Sequence, residues 1–180
     1  MEKKQKLIVL SADAMVYEDL AYLETLPNFR KYLSGGCRIE KVRSIYPTIT
    51  YACHATMASG VYPDKHGLSG NLNFVPGNLT PPWHWFYDEL HFKENIFKSA
   101  KAAGYSTAAV YWPSTGGNPY IDYLIDEYWT QGPEDTIPEA YARSGSSPEV
   151  VEIIRQHMDG VVLRSHPNSD YFAMGCALDI

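Results

Sequence analysis

Two stretches of this sequence carry side chains suited to chemistry at the edge of a sheet. Asp13 follows the apolar run Lys6–Ser11, and Thr50 closes the turn Tyr46-Pro47-Thr48-Ile49-Thr50. In an open α/β sheet, ligands bind beyond the carboxyl ends of the strands, so both positions fall where a site is built. A threonine hydroxyl is a poor nucleophile until it is ionised, and metal coordination is one way to ionise it at neutral pH. A helix N-terminus favours an alkoxide and a bound phosphate, because unpaired backbone N–H groups point there. Each residue alone also has a plainer reading, Asp13 as a turn or cap residue and Thr50 as an N-cap.

The elements that must position these residues follow from the pattern. Lys6–Ser11 is short, apolar and β-branched and predicts a buried strand. Pro27–Leu33 has helical spacing and is stopped by Gly35-Gly36. Ile39–Ile45 alternates and predicts a second strand. Thr50–Ser59 is rich in small, helix-compatible residues, predicting a helix that ends at Gly60. Val61–Trp85 is a loop-rich stretch carrying Pro63, Gly67, Gly70, Pro76, Gly77, Pro81 and Pro82. A helix over Ile96–Ala103 and a strand over Ser106–Trp112 come next. Ser147-Pro148-Glu149 is a helix start with cap, N1 proline and early acid, followed by Val150, Ile154, Met158 and Val161 on one face. Asp170–Leu178 predicts a last strand. Strands alternating with helices predict an α/β domain over 1–180, with a mostly parallel sheet flanked by helices.

The segment after Thr50 reads Thr50-Tyr51-Ala52-Cys53-His54, then Ser59-Gly60, then Pro63-Asp64-Lys65-His66-Gly67, then Asn71. It resembles the signature of the type I phosphodiesterase/nucleotide pyrophosphatase family of the alkaline phosphatase superfamily: Thr, aromatic, Pro, Asn, His, then Thr-Gly, then Pro-x-x-His-Gly, and a later Asn. Thr50, Tyr51, His54, Gly60, Pro63, His66, Gly67 and Asn71 fall in register. Asp13, Leu26-Pro27-Asn28-Phe29 and Tyr111-Trp112-Pro113 resemble flanking segments of the same family. Ala52-Cys53 stands for the common Pro-Asn, Ser59 for Thr, and Ala14 for the Gly of an Asp-Gly pair. These departures suggest a divergent subgroup.

The resemblance implies an alkaline-phosphatase-like fold and hydrolysis of a phosphodiester or nucleotide pyrophosphate through a phospho-threonine intermediate. It implies Thr50 as nucleophile and zinc ligand, Asp13 as a carboxylate ligand, and two Zn2+ ions in a complete site. Asn71 would donate its amide to a phosphoryl oxygen as charge develops. Tyr51 either stacks on a nucleobase or other flat substituent, or simply packs. His54 and His66 read as structural histidines, and packing is the first reading of the aromatic cluster Trp83, Trp85, Phe86 and Tyr87. The family's further Asp and His ligands have no clear counterpart; Asp179 is the nearest approach. Asp13 and Thr50 are too few for a tetrahedral zinc. The expectation is therefore the N-terminal part of a catalytic domain, incomplete at its C-terminus, with little activity as it stands. Alternatives are a non-catalytic fragment or binding module, and a phosphomonoesterase or other phosphoryl-transfer member of the superfamily. A sulfatase is excluded by the lack of Cys/Ser-x-Pro-x-Arg. Gly67-Leu68-Ser69-Gly70-Asn71 lacks the last glycine of a serine-hydrolase elbow.

Composition bounds the rest. The 180 residues are 45% hydrophobic, 13% aromatic and 20% charged, which suits a folded domain rather than a disordered chain. A net charge of -6 lacks the basic footprint of a nucleic-acid binder. Leu7–Leu10 is too short for a signal-peptide core or a membrane span, and the odd number of cysteines reads as reduced, mostly buried thiols. The expected partner is a small phosphodiester or nucleotide substrate, and the expected setting is cytoplasmic, without a membrane role.

Overall fold

The computed structural model describes residues 5–39 and 41–180. The chain divides into two compact units, Met1–Ser44 and Ile45–Ile180, each described by itself.

Among its described residues the first unit holds a 3-10 turn, Tyr17–Asp19, and two short helices, α1 (Leu20–Leu23) and α2 (Pro27–Leu33). Pro27 occupies the first turn of α2, where its fixed φ suits the helix and no amide hydrogen is needed. Arg30 and Lys31 lie in the last turn, where cations complement the helix dipole. The predicted strand over Lys6–Ser11 does not form. Leu7, Ile8 and Leu10 are 76%, 79% and 91% exposed, and residues 6–11 take no strand conformation. The second predicted strand fails in the same way across its described residues, with Ile39 and Val42 exposed. A strand is stabilised by its ladder and its covered face, and alternation cannot supply either alone.

The second unit is α/β. Its helices are α3 (Thr50–Ser59), α4 (Pro63–His66), α5 (Ile96–Ala102), α6 (Ile137–Ser144), α7 (Pro148–Gln156) and α8 (Asn168–Asp179). They flank a small parallel sheet of β1 (Ala108–Val110) and β2 (Tyr123–Ile125), with Ala109 opposite Leu124. Ile125 sits in a core with Tyr141, Val150, Ile154, Phe172 and Cys176. Val150 and Ile154 come from one face of α7, as their spacing requires. Ser147 caps α7, its hydroxyl accepting from Val150 N. Thr136 and Glu139 cap α6 reciprocally. Met158 and Val161 lie beyond the end of α7 but still pack on this core.

The predicted last strand is a helix. Phe172, Ala173 and Cys176 of α8 are buried while Tyr171, Met174 and Leu178 are exposed, a helical and not an alternating division. A continuous apolar run does not by itself distinguish the two, and this one is long enough for three turns. The three cysteines form no disulfide, in line with reduced thiols, but they are less buried than expected: Cys176 is buried, Cys53 half-buried and Cys37 exposed. Among the described residues no helix is long and apolar enough to cross a membrane.

Candidate active site

Helix α3 starts where the sequence reading places it, yet Thr50 is not its N-cap. Ile49 holds that position in extended conformation, and its apolar side chain offers the first turn no acceptor. The acceptor comes from far along the chain. Asn71 Oδ1 takes the hydrogen of Tyr51 N at 3.0 Å. Because a backbone N–H can only donate, the oxygen of the Asn71 amide must face the helix, and Nδ2 keeps two hydrogens to donate. The structure therefore brings Asn71 to the first turn of α3, beside Thr50.

Several contacts hold Asn71 there. Its carbonyl accepts from His84 N at 2.9 Å, and Asn73 N donates to Pro82 O at 2.8 Å. Leu72 and Trp83 form an isolated antiparallel bridge between the two segments. Upstream, buried His66 receives Leu68 N on Nδ1 at 3.2 Å and places Nε2 at 3.0 Å from Thr56 Oγ1. Nδ1 is thus the acceptor and Nε2 carries the hydrogen. Burial keeps the His66 pKa below its ordinary value, against the opposing charge of Asp64. Gly67, at φ +88°, turns the chain back, and a Cβ there would lie 2.7 Å from the His91 ring. His54 Nδ1 lies 2.8 Å from Thr50 O, an acceptor, so Nδ1 carries the hydrogen; its ring meets Trp112 edge-on at 5.0 Å. Both histidines occupy structural positions.

Tyr51 is wholly buried, its ring 5.5 Å from that of Trp83. Burial, reinforced by Glu127 and Asp126, pushes its phenol far above the ordinary range. Of the two readings for Tyr51, this geometry supports packing. The flat surface that α3 borders is instead built by tryptophans. Trp129 meets Trp83 at 5.1 Å and Trp85 at 5.2 Å, both nearly perpendicular. The Arg164 guanidinium lies 4.4 Å from the Trp129 ring and 5.1 Å from the Trp83 ring. These residues line a cavity of about 370 Å³ with Pro81, Pro82 and Gln131. Sequence reading missed Trp129 and Arg164. The available signal was the position of Tyr128-Trp129 just past the carboxyl end of β2, the ligand edge of a parallel sheet.

Asp13 belongs to the first unit. It is exposed in a turn with Met15 N 3.4 Å from Ala12 O, and Ala14 beside it takes φ +59°. That is the left-handed region in which the family's glycine is at ease. Among the described residues, no group of three or more His, Cys, Asp or Glu is placed to hold a metal ion. Asp13 and Thr50 are two oxygen donors against the four of a tetrahedral zinc. By themselves they do not fit the ion.

The pattern of the type I phosphodiesterase / nucleotide pyrophosphatase family matches residues 7–167. The chain belongs to this family. Venom phosphodiesterase 2 of Crotalus adamanteus is 30% identical over 128 residues, covering 63% of this chain and 15% of that protein. Ectonucleotide pyrophosphatase/phosphodiesterase family member 1 of Homo sapiens is 27% identical over 177 residues, covering 78% of this chain and 19% of the relative. Family member 5 of Homo sapiens is 26% identical over 117 residues, 62% of this chain and 24% of the relative. The chain thus spans less than a quarter of these relatives' length. No solved structure matches it.

Proposed function

We propose that this chain carries the nucleophile and phosphate-orienting elements of a hydrolase acting on phosphodiesters or nucleotide pyrophosphates. The observation that carries the reading is the placement of Asn71 against the N-terminus of α3, with its acceptor oxygen committed to Tyr51 N and its donor nitrogen left for a ligand. Thr50 lies in the same first turn, where the helix dipole favours both an anionic hydroxyl oxygen and a phosphate. Family membership and the names of the relatives support the same class of reaction.

In this reading Thr50 Oγ passes its proton to water and bonds to phosphorus while the opposite P–O bond breaks, and the leaving oxygen takes a proton from water, releasing an alcohol or a nucleotide. Water then cleaves the threonyl phosphate. Asn71 Nδ2 donates to a non-bridging oxygen whose charge grows in each transition state. A flat substituent of the substrate lies in the Trp83–Trp129–Arg164 cavity, where aromatic faces and a guanidinium suit an anionic nucleotide. Zinc stays in the proposal as what the resemblance implies, with Thr50 Oγ and the Asp13 carboxylate each a donor; a bound metal would lower the pKa of a coordinated hydroxyl. No step of this reaction is routed through a metal.

The short donor count favours a second reading in which the unit binds a phosphate ester without hydrolysing it. One experiment separates the two. A p-nitrophenyl nucleotide ester is supplied with zinc, turnover is measured, and phosphate on the Thr50 peptide is sought by mass spectrometry. The 180-residue chain should bind and turn over little. A protein carrying this segment with a full donor set should lose on the order of a thousand-fold or more with Thr50→Ala. Unchanged turnover in that variant would remove Thr50 from the chemistry, and robust zinc-dependent hydrolysis by the short chain would overturn the shared metal site.

A further inference from the structure

Asp126, at the carboxyl end of β2, is fully buried, and its Oδ2 has no hydrogen-bond partner among the described residues. A methyl group on Gly116 would stand 2.8 Å from Oδ2, so the glycine lets the chain lie close against that oxygen. The other oxygen, Oδ1, lies 3.1 Å from Thr115 Oγ1. Thr115 Oγ1 also lies 2.6 Å from Trp112 O. A hydroxyl has one hydrogen to donate, and a carbonyl can only accept. The shorter contact takes the Thr115 hydrogen, which leaves Thr115 Oγ1 facing Asp126 as an acceptor. That second contact is a hydrogen bond only when Asp126 supplies the proton.

We infer that Asp126 is held as a neutral carboxylic acid that donates to Thr115 Oγ1 and clamps the Trp112–Thr115 turn, and that its ionisation releases the turn. The turn matters because Trp112 backs His54, and His54 Nδ1 holds the carbonyl of Thr50. Asp126 is therefore a pH-sensitive support beneath the first turn of α3. The titratable groups facing it are Glu127 on its own segment, Tyr51 on α3 and Tyr141 on α6. None offers a positive charge to a carboxylate. Burial pushes the Asp126 carboxyl up to about 8 and the charge of Glu127 adds to it, against the backbone N–H groups of Thr115 and Glu127.

The inference is independent of the phosphodiesterase reading, and its readouts need no turnover. The unfolded aspartate ionises near pH 4. The folded form holds its proton to about pH 8. The proton's contribution is complete below the unfolded value and is lost as pH rises between the two, levelling off above the folded value. Asp126→Asn keeps the shape and a donor for Thr115 but cannot ionise. Across that interval the folding equilibrium constant of the natural chain should fall relative to Asp126→Asn by about tenfold per pH unit. The tryptophan fluorescence of the folded natural chain should shift near the upper end, and that of the variant should not. Parallel stability curves would overturn the clamp. Should the variant fail to fold, carbon-detected NMR of the natural chain decides: one aspartate carboxyl titrating far above the others supports it, and all titrating in the ordinary acid range sinks it.

Discussion

The two places where the sequence puts chemistry, the Asp13 turn and the first turn of α3, are built in opposite ways. Thr50 is half-buried in a turn fastened from afar by Asn71 on Tyr51 N and from within the helix by His54 on its own carbonyl, the His54 ring backed by Trp112. Asp13 is exposed in a turn where Met15 N lies 3.4 Å from Ala12 O, next to an alanine in a left-handed conformation. The difference shows where organisation resides. The roles proposed for Thr50 and Asn71, a nucleophile and a hydrogen-bond donor to phosphate, require fixed geometry, because a displacement of an ångström forfeits much of the rate. Asp13 stands on an exposed local turn of its own unit.

Substitutions should separate the regions, and the largest stability effect belongs to the braced one. Gly67→Ala forces a Cβ into the left-handed region and onto the His91 ring, 2.7 Å away. Chemical denaturation should show a loss of about 2 kcal/mol or more, from the conformational cost plus displacement of the ring. A loss under a few tenths would mean that the Asn71 loop is not anchored through this turn.

The next effect divides the two jobs of Asn71. Asn71→Ala removes the remote cap and should cost about 1 kcal/mol of stability. It should also weaken nucleoside monophosphate binding, measured by calorimetry, by roughly tenfold for a lost hydrogen bond to a charged group. Asn71→Asp keeps an acceptor for Tyr51 N but has no amide donor and adds a negative charge. Stability should stay close to that of the natural chain while phosphate affinity falls at least as far as in Asn71→Ala. Equal affinities for the natural chain and Asn71→Asp would remove the donor role.

The smallest effect lies at the exposed turn. Ala14 at φ +59° carries the strain of a side chain in the left-handed region. Ala14→Gly relieves about 1 kcal/mol of it and gives back a fraction through the freer unfolded chain, a net gain of about 0.5 kcal/mol. Thermal unfolding should shift upward by a degree or two. A downward shift would show that the alanine is accommodated without strain.

Helix α3 was legible to its last residue, because Thr50–Ser59 is made of small helix formers and Gly60 supplies a left-handed stop. The start of α7 was equally plain from Ser147-Pro148-Glu149. β2 and α6 were not singled out, since Tyr123-Leu124-Ile125 is a three-residue run between acids whose pairing with β1 depends on residues far away. The apolar tail was read as a strand because an uninterrupted apolar run has no period to betray it; burial of Phe172, Ala173 and Cys176 on one side makes it a helix. In the site, the family pattern marked Thr50, Tyr51 and Asn71 but was silent on what each touches. Tyr51 turned out to be interior, and Trp129 and Arg164 carried no local motif at all.

By itself, then, the sequence determined the family, the helix that bears Thr50, and the spacing that commits His66, Gly67 and Asn71 to one loop. Those depend on local propensity and on residue types at set intervals, which the chain states directly. Only the tertiary structure decided that Asn71 caps α3 in place of a local residue, that Tyr51 packs while three tryptophans and Arg164 line a cavity, and that Asp126 faces a hydroxyl whose hydrogen is already taken. Each of these depends on a contact that no local motif announces. Which donor meets which acceptor, and how much water is excluded around it, is set by packing and not by the order of residues along the chain.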